Sequence, residues 1–327
     1  MGAFAGSLTA AVALLVATAL PASAWTVVGT ETITSLTQGQ GLATVDRPDG
    51  TTYLFYDGTL TVPQDAIDAG YDHVGDPDSS AGVIFQAFQA AGGGNGTKMF
   101  RALHQDGTHA DYVHTLVPGE QMNNSWVAVT PDGQWMLAGE WGSMTRFLIF
   151  PTPQLNASTA PNGGALPLVA EVQLDHTVVD VQGCDFVSAT RLLCSSDDAV
   201  AEGGFPRKPL LQVDLAAAVT GVDVAGAVSA VGPLPLQSEC PVAKPGSWPD
   251  DFEAEGIDVD PHTGALRVEV IPPGICGVAG TVYVYTVDGT PLPTTTTTSA
   301  PTTSSTSTTL APSTGTGATT VTPAFTG

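Results

Sequence analysis

"FEAEGIDVDPHTGALRVEVI", Phe252 to Ile271, is the stretch on which the fold turns. It places Glu255-Gly256 at the head of an alternating apolar run. A Pro-His-Thr-Gly turn follows, and then a second alternating run. Strand, tight turn and strand is the grammar of a β-hairpin. "QGCDFVSATRLLC", Gln182 to Cys194, follows the same plan: Glu or Gln, Gly, a small or apolar residue, Asp, then an apolar residue. Two looser copies are "QGLATVDRPDGTTYLF", starting at Gln40, and "SWVAVTPDGQWMLA", starting at Ser125.

Short runs of Val, Leu, Ile, Phe, Tyr and Thr, broken by Gly, Pro, Asp and Asn, fill the sequence around these hairpins. Helical periodicity is nearly absent, with "DLAAAVTG" (Asp214 to Gly221) and "TVPQDAIDAG" reading as single turns. The expected fold is therefore all-β. A hairpin with two outer strands, repeated, is the unit of a β-propeller blade. One unit cannot bury both faces, so neighbours must stack around an axis. At ~40–50 residues per blade, the domain would hold about five or six. The first strand, "TVVGTETITSL", is expected to complete the last blade and close the ring. A β-sandwich is the competing architecture, but it has no need of repeated hairpin heads.

The two ends differ from this pattern. Residues 1–24 hold an apolar run, Ala10 to Leu20, and end in Ala22-Ser23-Ala24, which reads as a signal peptide. Residues 291–327 are mostly Thr, Ser and Pro without charge, and they read as a disordered stalk. The propeller domain is expected over residues 25–290. With 9 Lys+Arg against 32 Asp+Glu, the net charge is −23, which disfavours a nucleic-acid partner. No segment of the mature region is long and apolar enough to span a bilayer.

Cys184, Cys194, Cys240 and Cys276 are an even number in a chain read as exported, which points to disulfides. No C-x-x-C is present, so zinc is disfavoured. Of three connectivities the expected one is Cys184–Cys194 across a hairpin, with Cys240–Cys276.

"AVTPDGQWMLAG" resembles the inner hairpin of bacterial surface-repeat propellers, and "EGIDVDPHTGALRV" is similar to those of phytase-like, lactonase-like and regucalcin-like propellers. The resemblance covers only the hairpins and implies a fold class. "PAFTG", Pro323 to Gly327, resembles a degenerate sortase signal, with "LAPSTG" at Leu310 a second imperfect match. This implies attachment to a cell wall.

The heads of the innermost strands border the channel of a propeller, so Glu255, Gln182 and Gln40 are the first candidates for a metal or ligand site. In the resembling lactonase- and regucalcin-like families a Glu before Gly at this position is a metal ligand, and the resemblance implies that role for Glu255. The opposing reading is architectural: Glu or Gln caps the strand, and Gly lets the next blade approach. Asp185 and Asp258 recur at one offset and are expected to bond between blades. Asp72, Asp76 and Asp78, in "YDHVGDPDSS", read as an acidic turn first and a cation loop second. His104, His109 and His114, five apart, are read as unrelated. Trp126, Trp135 and Trp141 are read as blade core.

No nucleophile elbow, zinc motif or phosphate loop is present. The expected function is that of an exported, surface-attached binding module for a protein, carbohydrate or small molecule. The alternative is a hydrolase using Ca2+ or another divalent cation in the channel.

Overall fold

The computed structural model describes residues 25–92, 94–232, 236 and 252–287. Strand β1 (Trp25–Ile33) and a one-turn helix α1 (Ser35–Gln38) come first. The first blade is β2 (Gly41–Asp46) and β3 (Thr52–Asp57). A short helix, α2 (Gln64–Asp68), lies within "TVPQDAIDAG", where a turn of helix was expected. The second blade holds β4 (Tyr71–Val74), β5 (Asp78–Ser80), β6 (Val83–Ala90), β7 (Thr97–His104) and β8 (His109–Thr115). The third holds β9 (Trp126–Val129), β10 (Trp135–Gly139) and β11 (Ser143–Pro151). The two-residue β12 (Gly164–Ala165) returns to the edge of β8, and β13 (Ala170–Val179) completes the third blade.

The fourth blade is β14 (Val181–Ser188), β15 (Arg191–Ser196), β16 (Leu210–Leu215) and β17 (Val224–Gly232). "DLAAAVTG" is not helical: its first two residues end β16 and the rest turns. The fifth blade is β18 (Glu253–Val259), β19 (Leu266–Ile271) and β20 (Gly280–Val287). Strand β1 pairs antiparallel with β20 and supplies its fourth strand, so the chain closes the ring with its own start.

The inner strands β2, β5, β9, β14 and β18 touch one another in cyclic order, so the propeller has five blades. The core follows from this arrangement, because each apolar layer lies between two blades. Phe85, Phe100 and Tyr112 of the second blade pack on Met136, Leu148 and Phe150 of the third. Trp126, Leu137 and Phe147 pack on Phe186, Leu192 and Val213 of the fourth. Leu193 and Leu210 pack on Ile257, Val268 and Tyr285 of the fifth. The layers flanking the first blade are thinner: Leu42 with Ile33 and Val282 on one side, Val45 and Tyr53 with Ile84 on the other. Trp126 meets Phe147 edge to face at 4.9 Å, as expected of blade core.

A disulfide joins Cys184 and Cys194, which face each other across the β14–β15 hairpin with Cα atoms 4.0 Å apart. Cys276 is also disulfide-bonded, and its expected partner Cys240 lies outside the described residues. So do the expected signal segment, residues 1–24, and the Thr/Ser/Pro tail, residues 291–327. Among the described residues no helix is long and apolar enough to cross a membrane.

Candidate functional site

The repeated heads meet at the axis, around a residue that the sequence pattern did not single out for this place. Asp76 stands where the heads of the first, fourth and fifth blades have Gly41, Gly183 and Gly256. Its Oδ1 accepts the Leu42 N–H at 3.0 Å and its Oδ2 the Ile257 N–H at 3.3 Å. Its backbone bridges in parallel to Trp126 of the third blade. A Cβ on Gly41 or Gly256 would lie 2.3 Å from Asp76 Oδ1, and one on Gly183 would lie 2.2 Å from Oδ2. The glycines of "QG", "QG" and "EG" are therefore required by one carboxylate that fills the channel.

Asp72, Asp76 and Asp78 do not form a solvated acidic turn. Asp72 is an exposed residue of β4, whereas Asp76 is 1% exposed and Asp78 half-buried, both on the inner edge of the second blade. The Pro77 step breaks this edge into β4 and β5, and both pieces pair with β6.

One step along the strands lies a second tier. Asp78 Oδ2 accepts the Val129 N–H of the third blade at 2.5 Å. Asp185 Oδ2 accepts the Val259 N–H of the fifth at 2.6 Å. Asp258 Oδ1 accepts the Thr44 N–H of the first at 2.7 Å, and its Oδ2 accepts the Thr44 hydroxyl at 2.8 Å. Arg267 Nη1 donates to the same Oδ2, and Nη2 to Asp260 at 3.2 Å. The repeated Asp is thus a stitch from one inner strand to the next. Burial raises Asp78 and Asp185, and neighbouring carboxylates of this tier raise both further.

Glu255, Gln182 and Gln40 immediately precede the three axial glycines. Glu255 is buried, and burial, with Glu253, Glu269 and Asp197 nearby, raises it well above the usual carboxylate range. Gln182 is buried, and Gln40 turns back to donate to the Gly39 carbonyl at 2.9 Å.

Two further acids were not legible as candidates. Glu269, on β19, is 0% exposed, and neither of its carboxylate oxygens meets hydrogen-bond geometry. The Gly256 amide only leans toward it, and burial raises it well above its ordinary value. Asp57, at the end of β3, is 1% exposed and receives only the neutral Gln86 amide, at 2.8 and 3.0 Å. Burial lifts it to about 7.

Among the described residues, the group whose His or carboxylate ligand atoms all come within 4.8 Å of one another is Asp65, His109 and Asp111. This group lies at the rim between α2 and the second blade, away from the axis. Arg101 reaches Asp111 at 2.6 and 2.8 Å and Asp65 at 3.0 Å, so a guanidinium already answers both carboxylates. His104 and His114 lie elsewhere: His114 is buried, with Nε2 2.7 Å from Glu120 Oε2 and Nδ1 3.1 Å from the Leu166 carbonyl.

A concavity of about 560 Å3 lies between the first and fifth blades, lined by Thr44, Tyr53 and Leu54 with His262, Thr263 and Arg267. Another, of about 460 Å3, lies between the first and second, beside Arg47, Gly82 and His104. Both open on the side of the hairpin turns. No protein-family model matches the sequence, and no curated protein is similar to it.

Proposed function

We propose that the chain is an extracellular binding or interaction module, attached to a cell surface through its Thr/Ser/Pro stalk. The observation that carries this reading is the filled axis. Asp76 occupies the channel where a channel enzyme would admit its substrate, and the tier beneath it is engaged in stitching blades. The open concavities lie instead at the turns beside the first blade. A disulfide across β14 and β15 suits an oxidising compartment. The ligand would be a protein, carbohydrate or small molecule met outside the cell.

The second reading, a divalent-cation hydrolase, draws on Glu269. A buried carboxylate without a partner is costly and invites a cation, and oxygen donors suit Ca2+. The donor set as arranged does not fit. Asp76 spends its oxygens on Leu42 and Ile257, and among the described residues no three carboxylates of the channel bring ligand atoms within 4.8 Å. No catalytic step follows from such a set.

The test is metal content of the purified full chain, with its melting temperature in Ca2+ and in chelator, and turnover of phosphate-ester and lactone substrates. The binding reading expects no stoichiometric metal and no turnover that Glu255→Ala or Glu269→Gln removes. Stoichiometric metal and turnover, both lost in either variant, would establish the hydrolase instead.

A further inference from the structure

The chain has five methionines, and Met99, Met122, Met136 and Met144 lie among the described residues. Met99, Met136 and Met144 are 1%, 0% and 4% exposed, and each is packed in an apolar layer. Met122 is different. It is half-buried, on the segment that carries the chain from β8 to β9, and it belongs to none of these layers. Among the described residues it is the one methionine outside the core.

Its sulfur rests on a glycine. A Cβ on Gly94 would lie 1.8 Å from Met122 Sδ, 3.0 Å from Cγ and 3.5 Å from Cε. Sulfur is the nearest of the three atoms, so the apex of the thioether, with its lone pairs, faces the loop between β6 and β7. The two loops that meet here are held unequally. The one bearing Met122 is anchored on both sides of it. Glu120 lies 2.8 Å from Lys98 Nζ and 2.7 Å from His114 Nε2. Asn123 Nδ2 donates to Gln89 Oε1 at 3.0 Å. Asn124, 0% exposed, donates to the Phe88 and Met99 carbonyls at 3.4 and 3.3 Å. The facing loop reads "GGGNG", Gly92 to Gly96, and has no apolar side chain to pack. The Gly94 N–H donates to the Ala91 carbonyl, and the Leu116 N–H to the Gly96 carbonyl, both at 3.0 Å. Glycine regains more backbone freedom on release than any other residue. The glycine loop therefore yields before the methionine does.

We propose that Met122 Sδ is an oxidation site for peroxides, and that its sulfoxide releases the glycine loop from the β8–β9 segment. The sulfur attacks one peroxide oxygen, the O–O bond breaks and an S–O bond forms. With hydrogen peroxide the other oxygen leaves as hydroxide and takes the proton of the transferred oxygen, giving water. The thioether loses two electrons and the peroxide gains them. The new oxygen sits on the lone-pair side, where Gly94 stands, so a loop that opened to admit the peroxide cannot close again. Sulfoxide reductases, one for each epimer, reverse the step. The inference stands apart from the binding reading.

Peptide mass mapping of the native full chain in hydrogen peroxide tests the first half. Met122 should gain about 16 daltons at least ~100-fold faster than Met99, Met136 and Met144, which react only through larger openings of the fold. Hydrogen–deuterium exchange tests the second half. In the oxidised protein it should run about tenfold faster at Gly94 and Leu116, whose amides the closed loop protects, and be unchanged over β9 to β11. Treatment with both sulfoxide reductases should restore the slow rate. In Met122→Leu, peroxide should leave exchange at Gly94 and Leu116 where it was. The proposal is overturned if Met122 oxidises no faster than the three core methionines, or if its sulfoxide leaves Gly94 and Leu116 as protected as before. It is overturned too if peroxide frees the loop equally in Met122→Leu, or if protection is lost across the third blade as well, since that is unfolding and not release of one loop.

Discussion

Raising the pH from 5 to 7.5 should destabilise this protein, and Asp57 sets a calculable share of the loss. Its carboxyl is 1% exposed and faces only an uncharged amide, and it titrates near 7 rather than 3.8. The folded state therefore holds this proton more tightly than the unfolded chain. The contribution to stability is full below about pH 4 and falls by ~1.4 kcal/mol per pH unit as the pH rises. It is gone above about 7, for a total of at most ~4 kcal/mol. Asp76, Asp78, Asp185, Glu255 and Glu269 are raised as well and push in the same direction. Glu120, lowered to about 2 against a burial that opposes it by His114 and Lys98, acts the other way only below about pH 4.5. Asp57→Asn removes the titration and keeps the shape. Its remaining carbonyl oxygen keeps one of the two bonds from Gln86 Nε2. At roughly 2 °C per kcal/mol for a domain of this size, the variant should melt up to ~8 °C above the native protein at pH 7.5. At pH 4.5, where only about 1 kcal/mol of the contribution has been lost, the gap should shrink to ~2 °C. Calorimetry on the full chain in chelator is the assay. A native melting temperature that is flat or rising between pH 5 and 7.5, or a variant less stable than native at pH 7.5, would refute the reasoning.

Gly183→Ala should cost about 3 kcal/mol in urea unfolding, since its Cβ would lie 2.2 Å from Asp76 Oδ2. In an Asp76→Ala background the next neighbour is Ile257 N at 3.0 Å, so the added methyl should cost clearly less; equal costs would show that Asp76 is not the obstacle. Asp258→Asn removes the charge facing Arg267 and one of two bonds to Thr44, and should cost about 3 kcal/mol; a loss under about 1 would show that the stitch between fifth and first blades is weak. Reduction of the intact protein should add about four daltons, two per disulfide, and Cys184→Ser with Cys194→Ser should cost ~2.5–3 kcal/mol for a loop of this size. A free thiol in the untreated protein would contradict both disulfides.

The hairpin repeat carried most of the fold. Gly256 and Gly183 were legible because each sits one residue after a Glu or Gln and two before an Asp, and a ring brings such heads together. Asp185 and Asp258 were legible as inter-blade groups for the same reason. The second blade was not, because Asp76 replaces the glycine and Pro77 interrupts the strand signal, so its head looks like an acidic loop. Glu269 was hidden for another reason. It alternates with Val268 and Val270, the pattern of a strand with one wet face. In stacked blades neither face is wet, and such a residue is buried without any local sign. That the first blade shows only β2 and β3 among the described residues was equally hidden: whether β3 has an outer partner depends on where the chain goes after Asp57, not on the residues of β3.

The pairing of β1 with β20 has a mechanical side. Val287 is the last described residue of a strand held on both flanks, by β1 along its length and by β19 on the inner side. Tension transmitted from the chain beyond Val287 along the strand direction would strain those two ladders in shear, with many hydrogen bonds resisting together. Tension across the strand would open them one at a time. The propeller is therefore built to withstand a tug along β20 better than a sideways peel, and the first strand of the chain is what doubles its grip.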